Sequence, residues 1–222
     1  MKMILLFRLF VVVSLWLPWS SSANTLPQAV SKGDIDAVKK ILEAGADINA
    51  ANAAGWTAMH YAAIRDKQDV AKVLIEHGAE VDAVTGKGKS ALFFCSERKR
   101  HAFAAFLLKN GAKVNRQDKR GWAPLHFAAV KGDISMMKLL IKHGGDINLP
   151  SNGGGTPLHE AVVSQSVEVV EFLLKNGANI NDLTKDGTSS LAYAVDYKNE
   201  PVAALLKKHG GKEARPLKAD AK

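Results

Sequence analysis

Seven histidines, one cysteine and one lysine-bearing glycine loop are the residues of this sequence best equipped for chemistry. His60, His126 and His159 recur at one place and His77, His143 and His209 at another, every step a multiple of 33 residues. Residues that recur at so long a period occupy equivalent places in stacked units, on the order of 10 Å apart as packed helices are. Ligands of one zinc ion must lie within about 2.1 Å of it. The periodic histidines are therefore expected to build structure, and His101 alone stands outside the pattern as a surface residue. Cys95 falls where other units carry Ala62, Ala128, Ala161 and Ala194. That is the place of a small packed side chain, with no histidine at helical reach to activate it. Gly86-Lys87-Gly88-Lys89-Ser90 has the end of a phosphate-binding loop, but Ala83 stands where that loop needs glycine, and no strand precedes it. No paired carboxylates fall in a predicted cleft. Neither catalysis nor a metal or cofactor is expected.

The same period defines the elements that hold these residues. Gly45, Gly78, Gly111, Gly144, Gly177 and Gly210 are spaced by 33, and so are Gly55, Gly88, Gly121, Gly154 and Gly187. Between the two series the blocks align without insertion, as in Thr57-Ala58-Met59-His60, Ala123-Pro124-Leu125-His126 and Thr156-Pro157-Leu158-His159. Each unit reads as a short helix, a turn, a second helix and an extended finger. Pro124 and Pro157 suit a first helical turn, where a missing N–H is no loss. Apolar residues such as Val169, Val170, Phe172, Leu173 and Leu174 give the second helix its buried face. That helix is expected to stop at the first glycine series, and the fingers end in Gly, Asn, Asp and Lys, a turn composition.

These blocks, together with Gly-Ala-x-Ile/Val-Asn segments such as Gly177-Ala178-Asn179-Ile180-Asn181, resemble the ankyrin repeat family over about Leu26 to Gly211. The resemblance implies an all-α repeat solenoid of about six 33-residue helix-turn-helix units with β-hairpin-like finger loops. Its repeats would cover about 24–54, 55–87, 88–120, 121–153, 154–186 and 187–211, with a polar tail over 212–222. It also implies that His60, His126 and His159 hydrogen-bond between adjacent turns, and that the protein is a non-enzymatic interaction module. The first unit has Leu26-Pro27-Gln28-Ala29-Val30 in place of the usual block, and the last ends in Lys212-Glu213-Ala214-Arg215. Both read as capping units with polar outer faces.

In such proteins partners contact the finger tips and the exposed end of each first helix. In repeats two to four those windows contain Arg65, Lys67, Lys87, Lys89, Arg98, Lys99, Arg100, Lys119, Arg120 and Lys131, against Asp66, Glu97, Asp118 and Asp133. In repeats five and six they hold Lys185 and Lys198 against Asp186 and Asp196. Trp56 and Trp122 occupy matching tips in the basic half, and exposed tryptophan beside arginine is the composition of binding hot spots. The expected partner is another protein with an acidic surface, met by the concave basic face of a monomer. Nucleic acid is not expected.

Met1 to Ala23 has Lys2 and Arg8, an apolar run from Leu9 to Leu17, Pro18, and small residues at Ser21 and Ala23. This is the layout of a secretory signal peptide cleaved between Ala23 and Asn24. The apolar run is too short for a membrane anchor, which needs about 20 residues. The full chain carries a net charge of +8; removing Lys2 and Arg8 leaves 28 basic residues against 22 acidic ones. A single cysteine and the absence of any Asn-x-Ser/Thr acceptor favour a bacterial periplasm, or secretion, over a eukaryotic secretory route. Two alternative destinations stay open at this stage: an effector acting on proteins of a host or foreign cell, and peripheral binding to an anionic membrane surface. A composition 47% hydrophobic and 23% charged, with 18 Gly and 7 Pro, excludes collagen-like and wholly disordered chains.

Overall fold

The computed structural model describes residues 25–215. The expected leader over 1–23 and the last part of the tail, 216–222, lie outside the described residues. Among those described, twelve helices form six pairs: α1 (Leu26–Lys32) with α2 (Ile35–Glu43), α3 (Ala58–Arg65) with α4 (Gln68–Glu76), α5 (Ala91–Glu97) with α6 (His101–Lys109), α7 (Pro124–Val130) with α8 (Ile134–Lys142), α9 (Pro157–Val163) with α10 (Val167–Lys175), and α11 (Ser190–Asp196) with α12 (Glu200–Lys208). Odd-numbered helices pack on one another in order from α1 to α11. Behind them the even-numbered helices form a second layer, where α2 meets α4, α6 meets α8 and α10 meets α12. The result is the all-α solenoid that the period predicts.

The first helices start where a side chain can cap them. Ser90 and Ser189 accept from the N–H groups of Phe93 and Ala192 at 3.3 and 3.2 Å. In three other repeats the histidine caps from inside the helix: the N–H groups of Thr57, Ala123 and Thr156 donate to Nδ1 of His60, His126 and His159 at 3.0, 3.1 and 3.2 Å. With Nδ1 accepting, the proton sits on Nε2. From there His60 donates to the Lys89 carbonyl at 3.1 Å and His126 to the Gly155 carbonyl at 3.2 Å. Each ring thus ties its own helix start to the next finger. His159 Nε2 has no partner of hydrogen-bond geometry. The second helices end as the spacing predicts; Gly111, at φ +86°, lets Ala112 N–H reach back to the Leu107 carbonyl at 3.0 Å. At the same helix end, Nδ1 of His77 pairs with the Val73 carbonyl, and Asn110 and Asn176 donate to those of Phe106 and Phe172.

Two ladders join consecutive units. On one edge, Asn49, Asp82, Asn115, Asn148 and Asn181 each accept, through a side-chain oxygen, the N–H 31 residues ahead, at 2.8–2.9 Å. On the other, each finger tip donates one N–H to the tip before it: Gly86 to Ala54, Lys119 to Lys87, Asn152 to Arg120 and Lys185 to Gly153, at 2.8–3.0 Å. The fingers are tighter than hairpins. Each closes on one rung, such as Asp118 N–H to the Trp122 carbonyl at 2.8 Å, and the bridge between Leu183 and Ser189 is the only strand-like pairing among the described residues. Part of the expected polar tail is tied down as well: Ser189 exchanges two hydrogen bonds with Ala214, and Arg215 pairs with Asp196. Those contacts cover the open edge of the last repeat.

The buried histidines set a pH response. Burial lowers the pKa of His60, His126 and His159 below the ordinary 6.5, with backbone hydrogen bonds opposing it. The unfolded chain therefore binds protons that the folded one refuses; stability is complete above about pH 6.5 and is lost as the pH falls below it. Each histidine contributes up to about 1.4 kcal/mol per pH unit in that range. Glu160 acts in the opposite sense. Its carboxyl is pushed up to about 7 by burial, against the attraction of Arg120, so its contribution is lost as the pH rises toward 7. With three histidines against one carboxyl, the melting temperature should fall between pH 7 and 5.5, and His126→Gln should make that fall shallower. A flat profile would mean that the rings take up protons as readily in the fold as in the unfolded chain.

Candidate partner-binding face

The finger tips and first helices of repeats two to four enclose two adjacent hollows. One, of about 440 Å³, is lined by Lys87, Lys89, Glu97, Lys119, Arg120 and Phe127, with Asp118 below. Its neighbour, about 420 Å³, lies one repeat toward the N-terminus, against Trp56, Ile64, Phe94 and Arg98, and shares Lys87, Lys89 and Glu97.

Aromatic rings floor both hollows. Trp56 meets Tyr61 at 5.5 Å and Phe94 at 4.8 Å between ring centres; Phe93 meets Phe94 at 6.5 Å and Phe127 at 4.8 Å; Phe127 meets Trp122 at 5.1 Å. Tyr61, Phe94 and Phe127 are one column at the 33-residue step, and Glu160 interrupts it. That column is uncharged, so a count of charges does not reveal it, but it is visible in the aligned blocks. In the third repeat two columns break together: Lys89 stands where Trp56 and Trp122 stand, and Phe93 where His60 and His126 stand. The exchange places the Lys89 ammonium 4.7 Å from the centre of Phe93 and 5.3 Å from that of Phe127, a cation over aromatic faces.

The cations of these windows fall into two groups. Arg100 pairs with Asp66 at 3.1 Å, Lys89 lies 3.6 Å from Glu97, and Arg120 grips Asp118 through Nε and Nη2 at 3.1 and 3.0 Å. Asp118 and Asp133 are both buried, not exposed charges as their windows suggested. Asp118 accepts the N–H groups of Arg120 and Trp122 and so shapes its tip, while Asp133 caps α8 and holds His101 at 2.7 Å. His101 is thus a partnered residue. All four acids are engaged, which leaves Arg65, Lys67, Lys87, Arg98, Lys99, Lys119 and Lys131 without an ion pair among the described residues. Of these, Lys87, Arg98 and Lys119 converge on the hollows. Lys67 lies elsewhere, against Gly33 between the first two repeats, and Arg100 is held at the turn into α6. Arg65 ends α3, Lys99 follows α5 and Lys131 caps α7, all exposed. Neither tryptophan is a bare ring: Trp56 is half-buried on its neighbours, and the Arg120 guanidinium covers Trp122 at 4.9 Å.

Cys95 is fully buried, and burial pushes its thiol well above the ordinary range, so it packs as a small apolar group. No group of three or more His, Cys, Asp or Glu among the described residues is arranged to hold a metal ion. No helix among them is long and apolar enough to cross a membrane.

Comparison with known proteins agrees with the architecture. A family model described as ankyrin repeats in three copies matches residues 26–118 and again 113–184. The chain is 44% identical over 46 residues to Notch-regulated ankyrin repeat-containing protein A of Danio rerio, a stretch that is 21% of this chain and 41% of that protein. The human and mouse Notch-regulated ankyrin repeat-containing proteins match equally, over 40% of their length. The chain thus spans about two fifths of the curated relatives it matches.

Proposed function

Because this chain belongs to the ankyrin-repeat family, whose members are in general non-enzymatic protein-interaction modules, we propose that it binds an acidic surface of another protein through the two hollows of repeats two to four. It acts by holding that partner, as a monomer when free, in the periplasm or after secretion, once the leader is cleaved behind Ala23. The observation that carries the reading is the segregation of charge. Each of the four acids in those windows has a side-chain partner, while Lys87, Arg98 and Lys119 form no ion pair among the described residues and stand around an aromatic floor.

Unpaired exposed cations steer an acidic partner into encounter, and salt screens that steering. Lys87, Arg98 and Lys119 replaced together by Glu should therefore slow association with the native partner by about tenfold or more at low salt. Dependence on ionic strength should flatten at the same time. The protein for this measurement comes from the cell envelope or culture medium, where its N-terminus should read Asn24. Lys185 and Lys198, in the neutral half, serve as the control pair. Reversal of the control pair that abolishes binding, with the basic triple still binding normally, would move the contact face to repeats five and six. Arg120 is unsuitable for this test because it holds Asp118, and Lys89 because it lies against the rings of Phe93 and Phe127.

A further inference from the structure

We infer that the two hollows together read a short extended segment of the partner, in which a carboxylate side chain and a large apolar side chain stand about three residues apart. The inference rests on the concave-face reading above and specifies what that face recognises.

The carboxylate is assigned to Lys89. Its side chain is only 16% exposed, and its one ion-pair partner among the described residues, Glu97, lies at 3.6 Å. That is longer than the roughly 2.7–2.9 Å of a charge-assisted hydrogen bond. An ammonium has three donors. Here its neighbours are aromatic rings and Glu97 at 3.6 Å, so a partner's carboxylate oxygen can come closer than Glu97 does. Arg120 differs, since Asp118 already takes two of its donors. Lys87, Lys119 and Arg120, all exposed, together with Lys89 outnumber Glu97 and the buried Asp118, and the hollow favours an anion. The apolar side chain is assigned to the neighbouring hollow, where Trp56, Ile64 and Phe94 supply the wall.

Spacing follows from the repeat. Equivalent points of adjacent units lie on the order of 10 Å apart, and an extended chain advances about 3.3 Å per residue. About three residues therefore separate the two side chains. A segment laid across the fingers presents them to the two hollows in turn.

The test is selection of a displayed random dodecapeptide library on the purified protein. The expected pool pairs Asp or Glu with Leu, Ile, Phe or Trp three residues away, give or take one. The acid is enriched about tenfold over its library frequency, as a charge-assisted hydrogen bond implies. Lys89→Met keeps the stem over the rings and should abolish the acid preference alone, whereas Lys89→Arg should retain it. Trp56→Ala should abolish the apolar preference alone. Thermal melting of each variant establishes that it is folded before selection. A pool without this spacing, an acid preference that survives in Lys89→Met, or no enrichment over a blank surface overturns the inference. A native partner that depends on Lys87, Arg98 and Lys119 while the pool lacks the spacing overturns the motif and leaves the binding face standing.

Discussion

Gly121→Ala should cost about 3 kcal/mol or more of folding stability, while Gly111→Ala, at an equally left-handed position, should cost about 1–2 kcal/mol. The two glycines have φ of +78° and +86°, so the conformational penalty of a Cβ is shared. Their surroundings differ. Beside Gly111 a Cβ would meet nothing within 4 Å, but beside Gly121 it would lie 2.3 Å from the backbone nitrogen of Asn152 and 2.6 Å from its side-chain oxygen. That nitrogen is the one that donates to the Arg120 carbonyl in the finger ladder. The tips must separate to admit a methyl group, and the rung from Asn152 to Arg120 is lost. Gly55, Gly88 and Gly154 meet the next tip in the same way, at 2.5–2.9 Å. Urea denaturation of the two variants side by side measures the difference directly; equal costs would show that the tips separate freely.

Cavity formation in the second helices should be the other large effect. Phe103→Ala and Leu140→Ala should each destabilise the array by about 3–5 kcal/mol. Both side chains are completely buried, Phe103 in α6 and Leu140 in α8, and α6 and α8 pack on each other. Each loses the transfer free energy of its apolar atoms and leaves a void that neighbouring repeats, held at fixed spacing by the two ladders, close only in part. Half-buried Phe106 on the same helix as Phe103 is the internal comparison, and Phe106→Ala should cost clearly less. Denaturation midpoints for the three variants settle the order. Equal losses for Phe103 and Phe106 would place the core of the second layer elsewhere.

Period alone determined the architecture, and the physical reason is that its causes are local. A glycine past a helix end, a proline in a first turn, and a serine, threonine or histidine at a helix start act within a few residues of themselves. Repetition without insertion then leaves stacking as the one way to bury the apolar faces. The structural role of the periodic histidines was legible for the same reason, as was the packing role of Cys95. The candidate site was legible only as a set of residue types. Arg65, Lys67 and Arg100 count equally with Lys87, Arg98 and Lys119 in a charge tally, and only the tertiary structure separates them. The contacts that do so join neighbouring repeats: Arg100 finds Asp66 34 residues back, and His101 finds Asp133 32 residues ahead. Asp118 turned inward because its tip needed an acceptor for two N–H groups, and Arg120 followed it and covered Trp122. Such choices depend on rotamers and on distances of a few ångströms between chains of atoms that the period brings together but does not orient. Composition could therefore locate a basic half, and packing decided which of its cations stay free for a partner.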